Sequence, residues 1–340
     1  MKILTIESTC DETAAAVVTD RLEVLGAVVA SQDHLHERFH GVVPEIAARA
    51  HVERIVPVID EALRRAGCTL EQIDAVAVAN TPGLAGSLLV GLVAAKSLCL
   101  ATGKPLVAVN HLHAHIYACR MAAGRDLFPC VGLIVSGGHS NLYRCDDPST
   151  FHYLGGTIDD AAGEAFDKVA SMLGLPYPGG PQVSKAALQG DRQAHRFPRS
   201  FIKDRERLDF SFSGLKTAVR YAIAGPGKPD FSNVHLSQQQ IADLAASFEE
   251  AVVDCLVAKA MLAVEKSRLS TLCVGGGVAA NRRLRERLAK CCQQSNVELH
   301  IAPLQLCTDN AVMGAIAVEK LKRGQTDDLS LDIEAGLVRR

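Results

Sequence analysis

The chain has 340 residues, with 36 Lys and Arg against 38 Asp and Glu, a formal charge of −2 and 48% hydrophobic residues. That balance excludes a disordered chain and gives enough apolar material for two domains or one large α/β unit. A protein that grips nucleic acid through overall charge is strongly basic, so any such contact here must use local patches or a partner.

Eleven cysteines cannot all pair, and none stands in CxxC spacing, which argues against a zinc ribbon, a thioredoxin-like motif or a secreted disulfide framework. The sequence reaches Glu7 too early for the apolar core of a signal peptide. The longest apolar run, residues 84–95, contains Ser87 and stops at Lys96, short of the ~20 residues a membrane helix needs. The expectation is a cytoplasmic protein with reduced thiols and no membrane contact.

In chain order, residues 2–6 predict a strand, 7–13 a polar turn and 14–18 a second strand. Residues 75–79 predict a strand, 80–86 a glycine-containing loop, 88–100 a helix and 105–109 a strand. Both patterns recur. Residues 130–135, the turn 136–140 and 141–145 repeat the first, and 271–274, the glycine loop 275–281, 282–292 and 297–302 repeat the second. Two repeats in the same order predict a duplicated α/β protein of two lobes with a ligand in a central cleft. Ile241, Leu244, Ala245, Phe248, Val252, Cys255 and Leu256 at helical spacing predict a long core helix over 237–267. Residues 192–207, rich in Arg and without a clean period, predict an exposed loop.

His111-Leu-His-Ala-His115 carries the strongest chemistry. On a helix, His111 and His115 lie on one face about 6 Å apart, suited to one metal ion, while His113 points elsewhere. Asp309, in Cys307-Thr-Asp-Asn310, is the carboxylate the internal repeat supplies from the other half. Two His and one carboxylate leave coordination sites open, which suits Fe(II) and also zinc. Leu112 stands where a zincin needs its Glu, which removes the main support for a peptidase.

Ser136-Gly-Gly138 and Gly275-Gly-Gly277 offer backbone N–H groups unobstructed by side chains, as a phosphate-binding turn requires. No P-loop motif is present, because Gly103-Lys104 and Gly227-Lys228 both run into Pro. Gly275-x-Gly277-x-x-Ala280 imitates a dinucleotide fingerprint, but the next strand ends without an acid for a ribose. Asp160, Glu164 and Asp167 predict an acidic helix face, ordinarily a solvated one; its flanking glycine turns would let an acid there reach ribose hydroxyls. Asp11 and Glu12, in the turn between the first two strands, can act as a base or steer a metal or amine, against the plainer reading of a polar turn. Cys10 has no nearby His in sequence and is expected to pack rather than attack.

Glu7-Ser-Thr-Cys-Asp-Glu-Thr, His111-Leu-His-Ala-His115, Val135-Ser-Gly-Gly-His139, Asp159-Asp-Ala-Ala-Gly-Glu-Ala-Phe-Asp167, Tyr177-Pro-Gly-Gly-Pro181, Phe210-Ser-Phe-Ser-Gly-Leu-Lys216, Gly275-Gly-Gly-Val-Ala-Ala-Asn281 and Cys307-Thr-Asp-Asn310 together resemble the TsaD (Gcp, YgjD) family over nearly the whole chain. The resemblance implies the actin-like, sugar-kinase and Hsp70 (ASKHA) fold. It implies transfer of the threonylcarbamoyl group of threonylcarbamoyl-adenylate to N6 of adenosine 37 in tRNAs reading codons that begin with A, with release of AMP. The implied metal ligands are His111, His115 and Asp309, holding one Fe(2+) or, alternatively, Zn(2+). The implied substrate-binding residues are Ile134, Val135, Ser136, Gly137, Gly138, Asp167, Gly180 and Asn281, with adenylate or ATP as the bound nucleotide. Position 184 is an acid in some members and Ser184 here, so no carboxylate contact is expected there. Asp11 and Glu12 are the candidates for accepting the amine proton.

With that fold, the expected division is 1–109 as N-terminal lobe, 110–129 as a helical connection bearing the metal ligands, 130–330 as C-terminal lobe with a helical insertion near 155–250, and 331–340 as tail. The expected partners are tRNA, a noncatalytic TsaB-like paralogue and a small TsaE-like P-loop ATPase. An inactive nucleotide-binding scaffold is the competing class, opposed by the intact His111, His115 and Asp309; an endopeptidase, the older description of relatives, is the third. Six basic residues against two acids in 192–207, and five against one in 282–290, predict a modest patch with weak, salt-sensitive tRNA binding that tightens with partners. The absence of Trp predicts little base stacking.

Overall fold

A computed structural model describes residues 1–225 and 235–336; Gly227-Lys228 and the last four residues of the expected tail lie outside the described residues. The chain forms two compact units, Met1–Asp126 with Asp146–Phe151 and Thr308–Arg340, and Leu127–Cys145 with His152–Cys307.

In the first unit β1 (Lys2–Glu7), β2 (Glu12–Thr19) and β3 (Val24–Ser31) form an antiparallel meander. There follow α1 (Asp33–His36), α2 (Pro44–Arg65), β4 (Ala75–Thr81), α3 (Ala85–Thr102), β5 (Leu106–Asn110) and α4 (His111–Ala123). With β4 and β5 parallel to β1, the sheet order is β3-β2-β1-β4-β5. Ile3, Leu4, Ile6 and Ala14 through Val18 are all buried, as strands covered on both faces should be. In α2, Pro44 presets the first turn, and Ala47, Ala50, His51, Ile55, Val58, Ile59 and Ala62 form the buried face. By length and composition α3, with 18 residues, is apolar enough to cross a membrane. Its Leu92, Ala95 and Cys99 pack with Ile55 and Val58 of α2 in the core of this unit, while Leu89, Val93 and Leu100 are exposed.

In the second unit come β6 (Cys130–Val135), β7 (Ser140–Asp147), β8 (Thr150–Gly156), α5 (Ala162–Met172), α6 (Gly179–Ala187), α7 (Ser213–Ala224), α8 (Gln238–Ser267), β9 (Thr271–Gly275), α9 (Arg282–Gln294), β10 (Glu298–Ile301) and α10 (Leu304–Cys307). The sheet order is β10-β9-β6-β7-β8, with β7 antiparallel and β9 parallel to β6. Each sheet thus has the same plan: a first strand, an antiparallel neighbour on one side and two parallel strands on the other. The duplication read from the sequence is real at the level of topology. The long helix starts as expected, Ser237 accepting from Gln240 N–H (3.2 Å) while Gln240 Oε1 accepts from Ser237 N–H (2.8 Å). Residues 192–207 contain no helix or strand, but they are pinned down: the buried Lys259 of α8 donates to the carbonyls of Asp204 (2.7 Å) and Arg207 (2.6 Å).

The chain then returns to the first unit through α11 (Ala317–Lys322). The division expected at residues 109, 130 and 330 differs here, because α4 and everything after Cys307 belong to the first unit. Unpaired groups beside β1 and on the β5 edge draw this segment in. Thr5 Oγ1 donates to Ala311 O (2.6 Å), Asp327 N–H to Leu106 O (2.8 Å) and Ala108 N–H to Asp327 Oδ2 (2.7 Å).

Gly276 sits at φ +91°, where a Cβ would lie 2.4 Å from Val135 O, whereas a Cβ on Gly277 meets nothing within 4 Å. Gly276→Ala should therefore destabilise the protein by about 1–3 kcal/mol, and Gly277→Ala by under about 0.5 kcal/mol. Urea unfolding of the two variants checks the contrast.

Candidate metal and substrate site

β5 ends at Asn110, whose side chain caps α4 by accepting from Leu112 N–H (2.9 Å) and His113 N–H (3.2 Å). The helix therefore begins on His111, and His111 and His115 share a face with ring centroids 4.7 Å apart. His113 leaves that face and stacks on Phe151 at 3.9 Å; burial pushes its imidazole down to about 3.

Asp309 follows α10 in a turn tied by Asn310, whose Oδ1 accepts from Met313 N–H (3.2 Å) and whose Nδ2 donates to Thr308 O (2.8 Å). Asp309 Oδ1 lies 3.2 Å from His115 Nε2 and 3.4 Å from His111 Nε2. The three ligand atoms fall within 4.8 Å of one another. The set expected from two halves thus lies within a single compact unit, since Asp309 belongs with the first one.

Glu7, at the end of β1, completes the arrangement. Its Oε2 lies 3.0 Å from His111 Nδ1, and its Oε1 accepts from Thr9 N–H at 2.8 Å. A carboxylate oxygen can only accept, so Nδ1 carries a proton towards Glu7, and Nε2 faces Asp309 and His115, where a cation would take its lone pair. Burial opposes charge on His111, but the carboxylates of Asp309 and Glu7 outweigh it and raise the ring well above its usual value. Burial likewise works to raise Asp309, yet His111 and His115 hold it well below the usual carboxylate range. Burial lowers His115. The half-buried Asp309 carboxylate facing two buried imidazoles, with Glu7 behind His111, forms a donor set that fits a divalent cation such as Fe(2+) or Zn(2+).

Asp11 and Glu12 also lie in the first unit. Burial is the main cause that raises both carboxyls; for Glu12, Asp309 and Asp11 add to it. Burial also pushes the Cys10 thiol up, which suits packing better than nucleophilic attack.

The remaining candidates fall in the second unit. Ile134 and Val135 end β6. The turn after them meets the start of α5, where Gly163 N–H donates to Ser136 O (3.2 Å) and Glu164 N–H to Gly137 O (3.0 Å). A Cβ on Gly163 would lie 2.6 Å from Ser136 O, while Gly137 and Gly138 face open space. Asp167 accepts from Gly179 N–H (2.7 Å), which fixes the turn carrying Gly180. Asn281 caps α9 through Leu284 N–H (2.8 Å), and its Nδ2 reaches Ser184 Oγ (2.9 Å) and Glu249 Oε1 (2.8 Å).

The acidic face expected over 160–167 resolves differently. Asp160 precedes the helix and pairs with Lys168 (2.9 Å) and Lys216 (2.7 Å), and Glu164 pairs with Lys168 (2.6 Å), so of that group Asp167 alone remains a ligand candidate. The basic patch is also altered. Arg192, Arg283 and Arg287 converge on Glu250, and Arg199 and Arg287 on Asp254. These acids come from α8, far away in sequence. Glu7, Glu249 and Ser184 were not singled out by sequence reading as site residues. Glu7 carried a signal, as the acid opening the turn after the first strand; Glu249 had only its place on the apolar face of the long helix.

Duplicated five-stranded sheets of this topology define the ASKHA class, and solved structures agree. T. kodakarensis HypF superposes with a TM-score of 0.61 over 95% of this chain and 48% of its own, at 15% identity. The Acidaminococcus fermentans (R)-2-hydroxyglutaryl-CoA dehydratase component A does so with a TM-score of 0.52 over 95% and 99%, at 16% identity. Within that class, residues 23–316 match the TsaD family, described as tRNA N6-adenosine threonylcarbamoyltransferase. Curated relatives of that name are 58% identical in Rhodopirellula baltica, over 99% of this chain and 97% of the relative, and 49% identical in Anaeromyxobacter dehalogenans, over 97% and 98%. The chain belongs to the TsaD family and is a transferase that forms threonylcarbamoyladenosine in tRNA.

If His111, His115 and Asp309 hold a cation, replacing Glu7 by Gln should weaken its binding about 10- to 100-fold, and His111→Ala, His115→Ala or Asp309→Ala should abolish stoichiometric metal, as read by elemental analysis and titration. Burial raises Asp160, but Lys216 and Lys168 outweigh it and lower its carboxyl. A depressed carboxylate contributes stability above its unfolded value and loses it as pH falls through the folded one. Asp160→Asn should therefore cost about 1–3 kcal/mol at neutral pH, and the gap from wild type should close below about pH 4 in pH-dependent unfolding.

Proposed function

We propose that the chain transfers the threonylcarbamoyl group of L-threonylcarbamoyl-adenylate to N6 of adenosine 37 in tRNAs reading codons that begin with A, releasing AMP. The observation that carries this reading is the cluster of the buried His111 and His115 with the half-buried Asp309, backed by Glu7, in a chain of this family. A divalent ion, Fe(2+) or alternatively Zn(2+), held by His111, His115 and Asp309 would supply Lewis-acid polarisation of the donor.

The chain's own residues account for the rest. The open N–H groups of Gly137 and Gly138, with Ser136, suit the phosphate of an adenylate. Ile134 and Val135 set that turn, and Asp167, Gly180 and Asn281 hold the nucleoside. The N6 amine attacks the carbamoyl carbon, the bond to the phosphate oxygen breaks, and AMP leaves with the electron pair. Asp11 or Glu12 takes the amine proton; their raised carboxyls bring their basicity closer to neutral pH, where a general base works best.

A tRNA substrate supports a cytoplasmic setting. The arginines of the basic patch are largely paired with α8 acids, which supports weak intrinsic affinity for tRNA and a need for partners. The exposed Val52 and Val56 of α2 and Leu89, Val93 and Leu100 of α3 form apolar surface of the kind that protein partners cover. We assign it to a TsaB-like paralogue, with a TsaE-like ATPase as a further partner.

With donor, unmodified tRNA and these partners supplied, nucleoside analysis should detect threonylcarbamoyladenosine; its absence would defeat the reading. Asp11→Asn and Glu12→Gln should lower transfer by about 100- to 10,000-fold for whichever residue is the base. Full transfer by both variants would place the base elsewhere. Val93→Glu with Leu100→Glu should abolish association with the paralogue in size-exclusion chromatography while leaving the thermal transition unchanged.

A further inference from the structure

We infer that His51 of α2 is a positioning residue that fixes the Cys10–Thr13 segment and thereby aims the Asp11 and Glu12 carboxylates. This rests on the reading of those acids given above.

His51 is 0% exposed, a polar residue on the apolar face of α2, and both of its ring nitrogens are used. Nε2 lies 3.0 Å from the carbonyl oxygen of Cys10. That oxygen can only accept, so Nε2 carries the proton. Nδ1 is then an acceptor, and the groups around it are donors: Thr13 Oγ1 at 2.8 Å and Gln32 Nε2 at 3.4 Å. Thr13 and Gln32 are both 0% exposed, so no water competes for these bonds. One neutral ring in one tautomer therefore bridges residues 10 and 13, the two positions that bracket Asp11 and Glu12. Burial lowers the imidazole from its usual value, in keeping with a neutral ring.

Two further bonds close the frame. Ser87 Oγ of α3 donates to the same Cys10 carbonyl at 3.1 Å, and Gln32 N–H donates to the Asp11 carbonyl at 3.1 Å. The backbone of the segment is thus held from α2, from α3 and from the residue after β3. His51 is the part of this frame that touches both ends of the segment, and packing alone would not require an imidazole there.

A misplacement of about 1 Å in a reacting group costs on the order of 100-fold in rate. His51→Leu should therefore lower kcat by about 100-fold, with KM for the adenylate donor and metal content close to wild type. Gln places its amide nitrogen where imidazole Nε2 lies, and Asn places its own where Nδ1 lies. His51→Gln should accordingly recover most of kcat, and His51→Asn should not. The experiment is steady-state transfer by the full chain with its partners, with thermal unfolding and metal analysis on each variant.

Equal kcat for the Gln and Asn variants, or losses that track the folded fraction, would overturn the inference. If His51→Leu does not fold, the Gln and Asn pair decides. Asp11→Asn and Glu12→Gln are assayed beside them. Full activity in both defeats the underlying assignment of the base, whereas loss in either combined with wild-type kcat for His51→Leu and His51→Asn defeats the positioning role alone.

Discussion

The hydrogen bond between Glu7 and His111 is the interaction on which the rest of the site depends. A carboxylate that is 3% exposed is tolerable only if its oxygens are engaged, and Glu7 spends one on Thr9 N–H and the other on His111 Nδ1. That second bond selects the tautomer of His111 and leaves Nε2 to meet Asp309. It also ties the end of β1 to the first residue of α4, so the polar turn that follows β1 starts from a fixed point. Asn110 and Asn310, on either side of the ligand set, hold the turns that carry His111 and Asp309.

The two sheets share one plan but carry different chemistry. In the first unit, the turn between the first two strands has acids and hydroxyls, and carboxylates and imidazoles gather near it. In the second unit, the equivalent turn is Ser136-Gly-Gly, where missing side chains leave backbone N–H groups accessible. Duplication followed by this divergence gives one unit suited to a cation and to proton transfer and another suited to an anionic nucleotide. Glycines matter in both for the same steric reason: Gly83 lets its loop approach Thr9 O, where a Cβ would stand 2.6 Å away, and Gly163 does likewise for Ser136 O.

Charge behaves in the same local way. Arg192, Arg199, Arg283 and Arg287 look like a basic patch along the sequence, but Glu250 and Asp254 of α8 lie among them. The result is a network that braces the 192–207 segment against α8 and α9, with less positive potential than the residue count suggests. Lys259 does the same from below, its ammonium satisfied by two carbonyls.

Much of this was legible in the sequence. Short-range patterns determined the strands, the glycine turns, the long helix, the duplication, and the spacing that puts His111 and His115 on one face, because each depends on neighbours a few residues away. The internal repeat, and then the family motifs, brought in Asp309 as well. Tertiary structure alone decided that Asp309 sits in the same compact unit as the two histidines, because the segment after Cys307 finds its hydrogen-bond partners beside β1 and along the β5 edge. It alone decided that Asp160 is a paired structural acid, that four arginines of the patch pair with Glu250 and Asp254 of α8, and that Glu7 and His51 are the groups behind the site. Those outcomes rest on contacts between residues far apart in the chain and on burial that makes an unpaired polar atom costly, and neither can be read from local pattern.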